Sequence, residues 1–302
     1  MDDWMAEYRA FTTSGGVVIL RDWSQVQLAG EDRIKLLNNM CTNDLRSLET
    51  GQSCEAFLLD VKGKISGHVL IVVGASDLTI LTVPNQAERI IAHLDRYIIR
   101  EDVRLTDVGH DYDWWLAVGP DTVEKNASTP TFKCDVLWPG GTLLRKTKGA
   151  AVGQLPAVDT ESPVWTALRV ESFFPLFGSD FDESHLPQEV NRDAQTISFT
   201  KGCYLGQETV ARIDALGHVN KKLVLVKFDG AAVPVRAAKL TRDGQEVGTV
   251  TTASWSPRFE APLAIAFVRR GSNDVGSKLA SELGSVEVIQ PAVGTDGLTI
   301  KH

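Results

Sequence analysis

The stretch Lys201-Gly202-Cys203-Tyr204-Leu205-Gly206-Gln207-Glu208 sets a thiol between two glycines and next to a lysine. Glycines at these positions let the backbone turn sharply and approach a ligand closely. Gln207 to Ile213 reads as a short helix, which puts Cys203 just ahead of a helix N-terminus, where partial positive charge favours a thiolate. Lys201 strengthens that effect if its ammonium points inward. The alternative is a small apolar side chain packed beside a tight turn, the usual fate of a free cysteine. Cys41, Cys54 and Cys134 lie in ordinary apolar or strand contexts and are expected to react more slowly.

A second chemical candidate is Glu171. Val164, Leu168 and Glu171 fall at i, i+4 and i+7 of a helical pattern, so the carboxylate sits on the apolar stripe. A buried carboxylate has to be paired or hydrogen-bonded. One reading is a structural ion pair, with Arg169 or Arg212 as partner. The other is a fork for a ligand that presents two parallel N–H donors, as a pterin does through N3–H and its 2-amino group.

Composition narrows the classes. The chain has 302 residues, a formal charge of −8 and 43% apolar residues, enough for two or three modules with sizeable cores. That acidity argues against broad nucleic-acid binding, which needs lysine and arginine to neutralise phosphates, and no direct nucleic-acid partner is expected. Four cysteines without a Cys-x-x-Cys pair support neither a zinc ribbon nor a disulfide framework, and no metal site is expected. The opening Met1-Asp2-Asp3-Trp4 lacks the basic and apolar regions of a secretory leader. No apolar run reaches the roughly 18 residues of a spanning helix, so the expectation is a cytoplasmic protein without a membrane partner.

Elements that could position these side chains follow from periodicity. Val17 to Leu20 and Gln25 to Leu28 read as strands, followed by a helix that carries Ile34 and Leu37. Ala56 to Leu59, Ile65 to Val73 and Leu78 to Val83 form an antiparallel meander, and a helix with Ile90, Ile91, Leu94 and Ile98 on one face comes next. Strands are expected again at Val103 to Asp107, Trp114 to Val118 and Thr142 to Arg145, with a short helix after Pro120. Ser162-Pro163 opens a further helix, serine as cap and proline in the first turn, which ends before Pro175. Beyond about residue 217 five short strands indicate an all-β module, with Asp243-Gly244 as a hairpin turn. The order describes an α+β protein and not a Rossmann sheet. Neither Gly-x-Gly-x-x-Gly nor a Walker A loop is present.

Lys-Gly-Cys-Tyr-x-Gly-Gln-Glu followed by Val210-Ala211-Arg212 resembles the hallmark of the YgfZ family of folate-binding proteins, in the glycine-cleavage T-protein (aminomethyltransferase) superfamily. Leu28-Ala29-Gly30-Glu31-Asp32-Arg33, Thr42-Asn43-Asp44, Leu59 to Ile65, Leu168 to Glu171 and Leu186-Pro187-Gln188-Glu189 follow that superfamily's pattern in order. The resemblance implies a three-domain cloverleaf around a central hole, with two interleaved ferredoxin-like layers (1–216) and a C-terminal β-barrel (217–302). It implies tetrahydrofolate or another reduced folate as cofactor, gripped by Glu171. Arg169, Tyr204, Gln207, Glu208 and Arg212 are further candidates for holding it. Cys203 becomes the functional thiol near the folate, with Lys201 beside it. The implied role is support of iron–sulfur cluster assembly or repair in client enzymes, tRNA-modifying ones among them, with client or assembly proteins as partners.

One departure bears on chemistry. T-proteins carry an acidic pair where this chain reads Ile65-Ser66-Gly67-His68. Aminomethyl transfer needs a carboxylate near folate N5, which Ser66 and Gly67 cannot supply. The alternatives to the iron–sulfur role are a folate-dependent aminomethyltransferase or other C1 transferase, and a non-catalytic interaction module with a vestigial folate cleft.

Overall fold

The computed structural model describes residues 3–119, 130–134, 136–137, 140–151 and 155–291. The helix expected after Pro120 lies outside them. Two five-stranded sheets and a closed six-stranded barrel carry the chain.

The two sheets are interleaved in sequence. After a first helix, α1 (Asp3–Ser14), strand β1 (Gly16–Ile19) enters the first sheet. The chain then builds the whole second sheet before returning: β2 (Ser24–Ala29), β3 (Ser53–Leu59), β4 (Ile65–Val73), β5 (Asp77–Thr82) and β6 (Arg104–Asp107), in the order β3-β4-β5-β2-β6. Helices α2 (Arg33–Met40) and α3 (Ala87–Asp95) belong to this stretch. They share a core with it through Leu37, Met40, Ile90 and Leu94 against Val26, Leu28, Ile71 and Ile80. Ile98 falls past the end of α3, in the turn that follows. The first sheet is completed by β7 (Tyr112–Val118), β8 (Thr131–Cys134), β9 (Gly141–Thr147) and β10 (Ala157–Asp159), in the order β10-β1-β7-β9-β8. Its β1–β10 pair is parallel. The facing sides of both sheets merge into one core in which Leu70, Val72 and Leu81 meet Trp114, Leu116 and Trp165.

Helix α4 (Pro163–Glu171) begins as its sequence requires. Ser162 Oγ accepts the backbone N–H of Val164 at 3.1 Å, with Pro163 in the first turn. Short helices α5 (Pro187–Val190) and α6 (Asp193–Thr196) and then α7 (Gln207–Leu216) lead into the barrel. The barrel runs β11 (Lys221–Phe228), β12 (Lys239–Arg242), β13 (Gln245–Ser256), β14 (Ala261–Arg269), β15 (Lys278–Ser281) and β16 (Gly284–Ile289). It closes by pairing β11 with β16. Asp243 (φ 53°) and Gly244 (φ 76°) both take left-handed backbone at the β12–β13 turn, the geometry a two-residue hairpin demands. Sequence reading missed β15, whose four residues contain one buried apolar side chain, Leu279. No helix among the described residues is long and apolar enough to cross a membrane.

Candidate functional site

Glu171 ends α4 where that helix packs on barrel strand β13. It is 1% exposed, as its place on the apolar stripe requires. Tyr8 of α1 donates its hydroxyl to Oε2 at 2.6 Å, and Ser256, the last residue of β13, donates to Oε1. Burial pushes the Glu171 carboxyl above its ordinary range. Donation from Ser256 and Tyr8, the nearby charge of Arg258 and donation from the Arg258 backbone N–H oppose that push. Tyr8 is itself driven well above the usual phenol range, first by burial and then by the carboxylate beside it.

Neither arginine considered as an ion-pair partner for Glu171 takes that role. Arg169 Nη1 binds Asp180 Oδ2 at 2.8 Å and its Nη2 donates to Thr252 Oγ1 at 2.9 Å. Asp180 in turn accepts from the hydroxyls of Thr251 and Thr252, each at 2.6 Å. This buried cluster ties α4 to β13, so Arg169 is held by protein groups. Arg212 and Glu208 are exposed on α7, and Gln207 is half-buried in its first turn.

The cysteine motif forms a separate site. Cys203 is exposed, whereas Cys41 and Cys134 are buried and Cys54 is intermediate. Cys203 borders a cleft of about 490 Å³ whose walls include Leu36, Asn39 and Met40 of α2 together with Tyr97, Glu101 and Tyr204. Glu171 is not among the residues that line this cleft. Helix α7 starts at Gln207, with Gly206 as its cap, a turn further along than Cys203. Lys201 is buried and points away from solvent: its ammonium donates to the carbonyls of Asn38 (2.6 Å), Cys41 (2.9 Å) and Asn43. Its three N–H donors are thereby engaged, and they clamp the motif to the last turn of α2 and the loop that follows. Lys201 Nζ also lies 5.2 Å from the Tyr204 ring centre, and burial moves that phenol up to about 12. Burial likewise pushes the Cys41 thiol up to about 11, which keeps it protonated at neutral pH.

The two motif glycines differ. Gly206 has φ 80°, and a Cβ there would meet the Asp60 carbonyl at 2.7 Å and Gly63 Cα at 3.0 Å. The 60–63 turn therefore packs directly against the cysteine motif, joining two sequence blocks that are far apart in the chain. Gly202 meets nothing within 4 Å and has ordinary backbone, so the sharp turn belongs to Gly206 alone.

A buried network at His68 escaped the sequence reading. Arg192 Nε donates to Glu55 Oε1 at 2.6 Å, Arg192 Nη2 donates to Oε2, and His68 Nε2 lies 2.6 Å from Oε1. An ionised carboxylate only accepts, so His68 carries its proton on Nε2. The guanidinium and the imidazole hold Glu55 down at about 2 against its burial. Phe57, Phe174 and Phe181 surround the imidazole, with ring centres 5.1 to 5.7 Å away. Arg192 Nη1 also holds the carbonyl of Phe173 at 2.7 Å. Phe173 has φ 50°, a strained setting for an aromatic residue just past Glu171. Nearby, the Ser66 carbonyl accepts from Arg89 at 2.5 Å. The carboxylate next to His68 is thus Glu55, already paired. Among the described residues no group of three His, Cys, Asp or Glu side chains could hold a metal ion.

A T-protein solved by crystallography shares this architecture. Aminomethyltransferase T of the glycine cleavage system from Bartonella henselae superposes with a TM-score of 0.83 over 95% of this chain and 89% of its own, at 17% identity. Family models for the GCVT N-terminal domain and the glycine cleavage T-protein C-terminal barrel domain match residues 1–127 and 221–293. The fold and the two matched segments define a protein of the aminomethyltransferase superfamily. The tRNA-modifying protein YgfZ of Yersinia enterocolitica is 28% identical over 238 residues, 68% of each chain. An aminomethyltransferase of Synechococcus sp. is 23% identical over 95% of this chain and 88% of its own. With further YgfZ relatives at 26% and 28% identity, the chain belongs to the YgfZ family within that superfamily.

Proposed function

We propose that this chain binds a reduced folate at Glu171 and acts with it, through Cys203, in keeping iron–sulfur client enzymes functional, including enzymes that modify tRNA. One observation carries the folate part: a fully buried carboxylate at the end of α4 whose side-chain donors are two hydroxyls. A carboxylate accepts at about four lone-pair positions, so two hydroxyls and the backbone N–H of Arg258 leave one for a ligand's N–H, and displacing a hydroxyl frees the second that a pterin's paired donors need. Arg169, which is fixed on Asp180, supports this role by keeping α4 in place against the barrel. Tetrahydrofolate is the cofactor class, and the likeness to tRNA-modifying YgfZ proteins supports the tRNA-linked role.

Ser66 and Gly67 offer no carboxylate for the protonation that aminomethyl transfer requires, and Glu55 is tied to Arg192. The reading is therefore a folate-dependent maintenance factor and not a glycine-cleavage transferase. Calorimetric titration with tetrahydrofolate tests it. Glu171→Ala should weaken binding by about 2–5 kcal/mol, the loss of a buried charged partner. Equal affinity in wild type and variant refutes the assignment of Glu171. Complementation of a deletion strain tests the second half: Cys203→Ser should fold and bind folate yet fail to restore iron–sulfur enzyme activity.

A further inference from the structure

Glu171 is covered on the side from which Tyr8 reaches it, and the cover has the construction of a movable part. Both carboxylate oxygens already accept a hydroxyl, and the side chain is 1% exposed. A ligand that grips both oxygens through parallel N–H donors needs an approach to them, so one covering side chain has to leave. The two differ in how firmly they are held. Ser256 closes strand β13 opposite Ala261 of β14, and its Oγ also accepts the backbone N–H of Phe259 at 3.1 Å. Tyr8 rides on α1, which buries only two side chains, Tyr8 and Phe11. Trp4 adds partial packing on the same core.

The base of α1 is built as a pivot. Gly15, between α1 and β1, has left-handed backbone (φ 79°). The Phe11 ring lies so close to Gly16 that a Cβ there would meet it at 2.5 Å. Phe11 thus anchors the helix at its strand end, while the turn bearing Tyr8 is held by its ring in the shared core and by the phenol's contact with Glu171. The other ten residues of the helix are exposed or half-buried, so a local opening at this end chiefly withdraws the Tyr8 ring from the core.

We infer that α1 is a lid over the Glu171 site, pivoting at Gly15 and latched by the Tyr8 hydroxyl, and that Tyr8 and the pterin exclude one another at the carboxylate. The inference rests on the folate reading given above. Closed protein keeps the carboxylate dry and satisfied, and the ligand binds the open fraction. Apparent affinity is then the intrinsic affinity scaled by that fraction, so weakening the latch tightens binding.

Tyr8→Phe removes the latching hydroxyl and keeps the ring. A hydrogen bond to a charged acceptor predicts tetrahydrofolate binding about 10- to 100-fold tighter than wild type by calorimetry. Hydrogen exchange over residues 3–14 should speed up in Tyr8→Phe, and in wild type on saturation with tetrahydrofolate. Ser256→Ala removes the other donor without touching α1, and exchange over 3–14 should stay at the wild-type rate. Folate that binds Tyr8→Phe no more tightly than wild type, or that slows exchange in α1, overturns the lid and leaves the folate reading standing. If neither wild type nor Tyr8→Phe binds tetrahydrofolate, the folate reading falls and the exclusion falls with it.

Discussion

Replacing Glu55 by Gln should destabilise the protein by about 3 kcal/mol at neutral pH, and the deficit should vanish in acid. The carboxyl is lowered from its ordinary 4.5 to about 2 by Arg192 and His68, a gap that corresponds to roughly 3 kcal/mol at about 1.4 kcal/mol per unit. Breaking a buried ion pair by removing one partner costs about 3–5 kcal/mol, an independent figure of the same size. Gln keeps the shape and one acceptor but leaves the Arg192 guanidinium, 2% exposed, without a counter-charge. For a carboxyl whose folded pKa is depressed, the stabilisation is present above the unfolded value. It is lost as pH falls through the folded one, here between about 4.5 and about 2. Wild type and Glu55→Gln should therefore differ most at pH 6–7 and converge towards pH 2. A chain with several sheets need not unfold in one step, so exchange of β3 and β4 amides is a better measure than a single global midpoint. A difference below about 1 kcal/mol at pH 7, or one that does not shrink in acid, refutes the reasoning.

Asp193 should behave in the opposite sense. Burial raises its carboxyl to about 6, so its contribution to stability is full below the unfolded value and is lost as pH rises through about 6. Asp193→Asn should stabilise the protein by about 1–3 kcal/mol at pH 7 and by little at pH 4, measured by urea unfolding. Gly206→Ala should cost about 2 kcal/mol or more, from left-handed backbone and the approach to Asp60, while Gly202→Ala stays within about 0.5 kcal/mol. Thermal melts of the pair check this, and equal midpoints contradict it. Cys203 should be alkylated first of the four thiols in native protein, being the exposed one. Peptide mapping after brief iodoacetamide treatment reads the order, and earlier labelling of Cys41 or Cys134 contradicts it.

Much of the scaffold could be read because local chemistry and tertiary placement agree. Ser162-Pro163 starts a helix, Asp243-Gly244 turns a hairpin, and the meander from Ala56 to Val83 is a set of apolar runs broken by turns, buried almost throughout. Helix α1 was not read, although Trp4, Tyr8 and Phe11 stand at helical spacing. Glu171 stood out because a carboxylate on an apolar stripe is anomalous anywhere. Its partners did not, since Tyr8 lies 163 positions away and Ser256 85. Periodicity says which face is buried and nothing about what meets it. The same limit applies to Lys201: its type implied positive charge near the thiol, yet only the fold shows the ammonium turned to carbonyls at the end of α2.

Three deeply buried carboxylates separate structural from functional acidity in this molecule. Glu55 and Asp180 each face a guanidinium, and each is held below its ordinary range despite burial. Their pairs join elements: Glu55–Arg192 ties β3 to the turn before α6, and Asp180–Arg169 ties α4 to the barrel. Glu171 is no less buried, but its side-chain donors are hydroxyls and its carboxyl moves up. An acid needed only to hold α4 on β13 would be redundant, because Arg169 and Asp180 already do so on the same pair of elements. A carboxylate left with weaker, replaceable donors can exchange them for a ligand's, whereas one locked to a guanidinium cannot without exposing a buried charge. That asymmetry supports the proposal that Glu171 is the acid with a ligand to bind and that the change on binding falls at Tyr8, on a helix that buries two side chains.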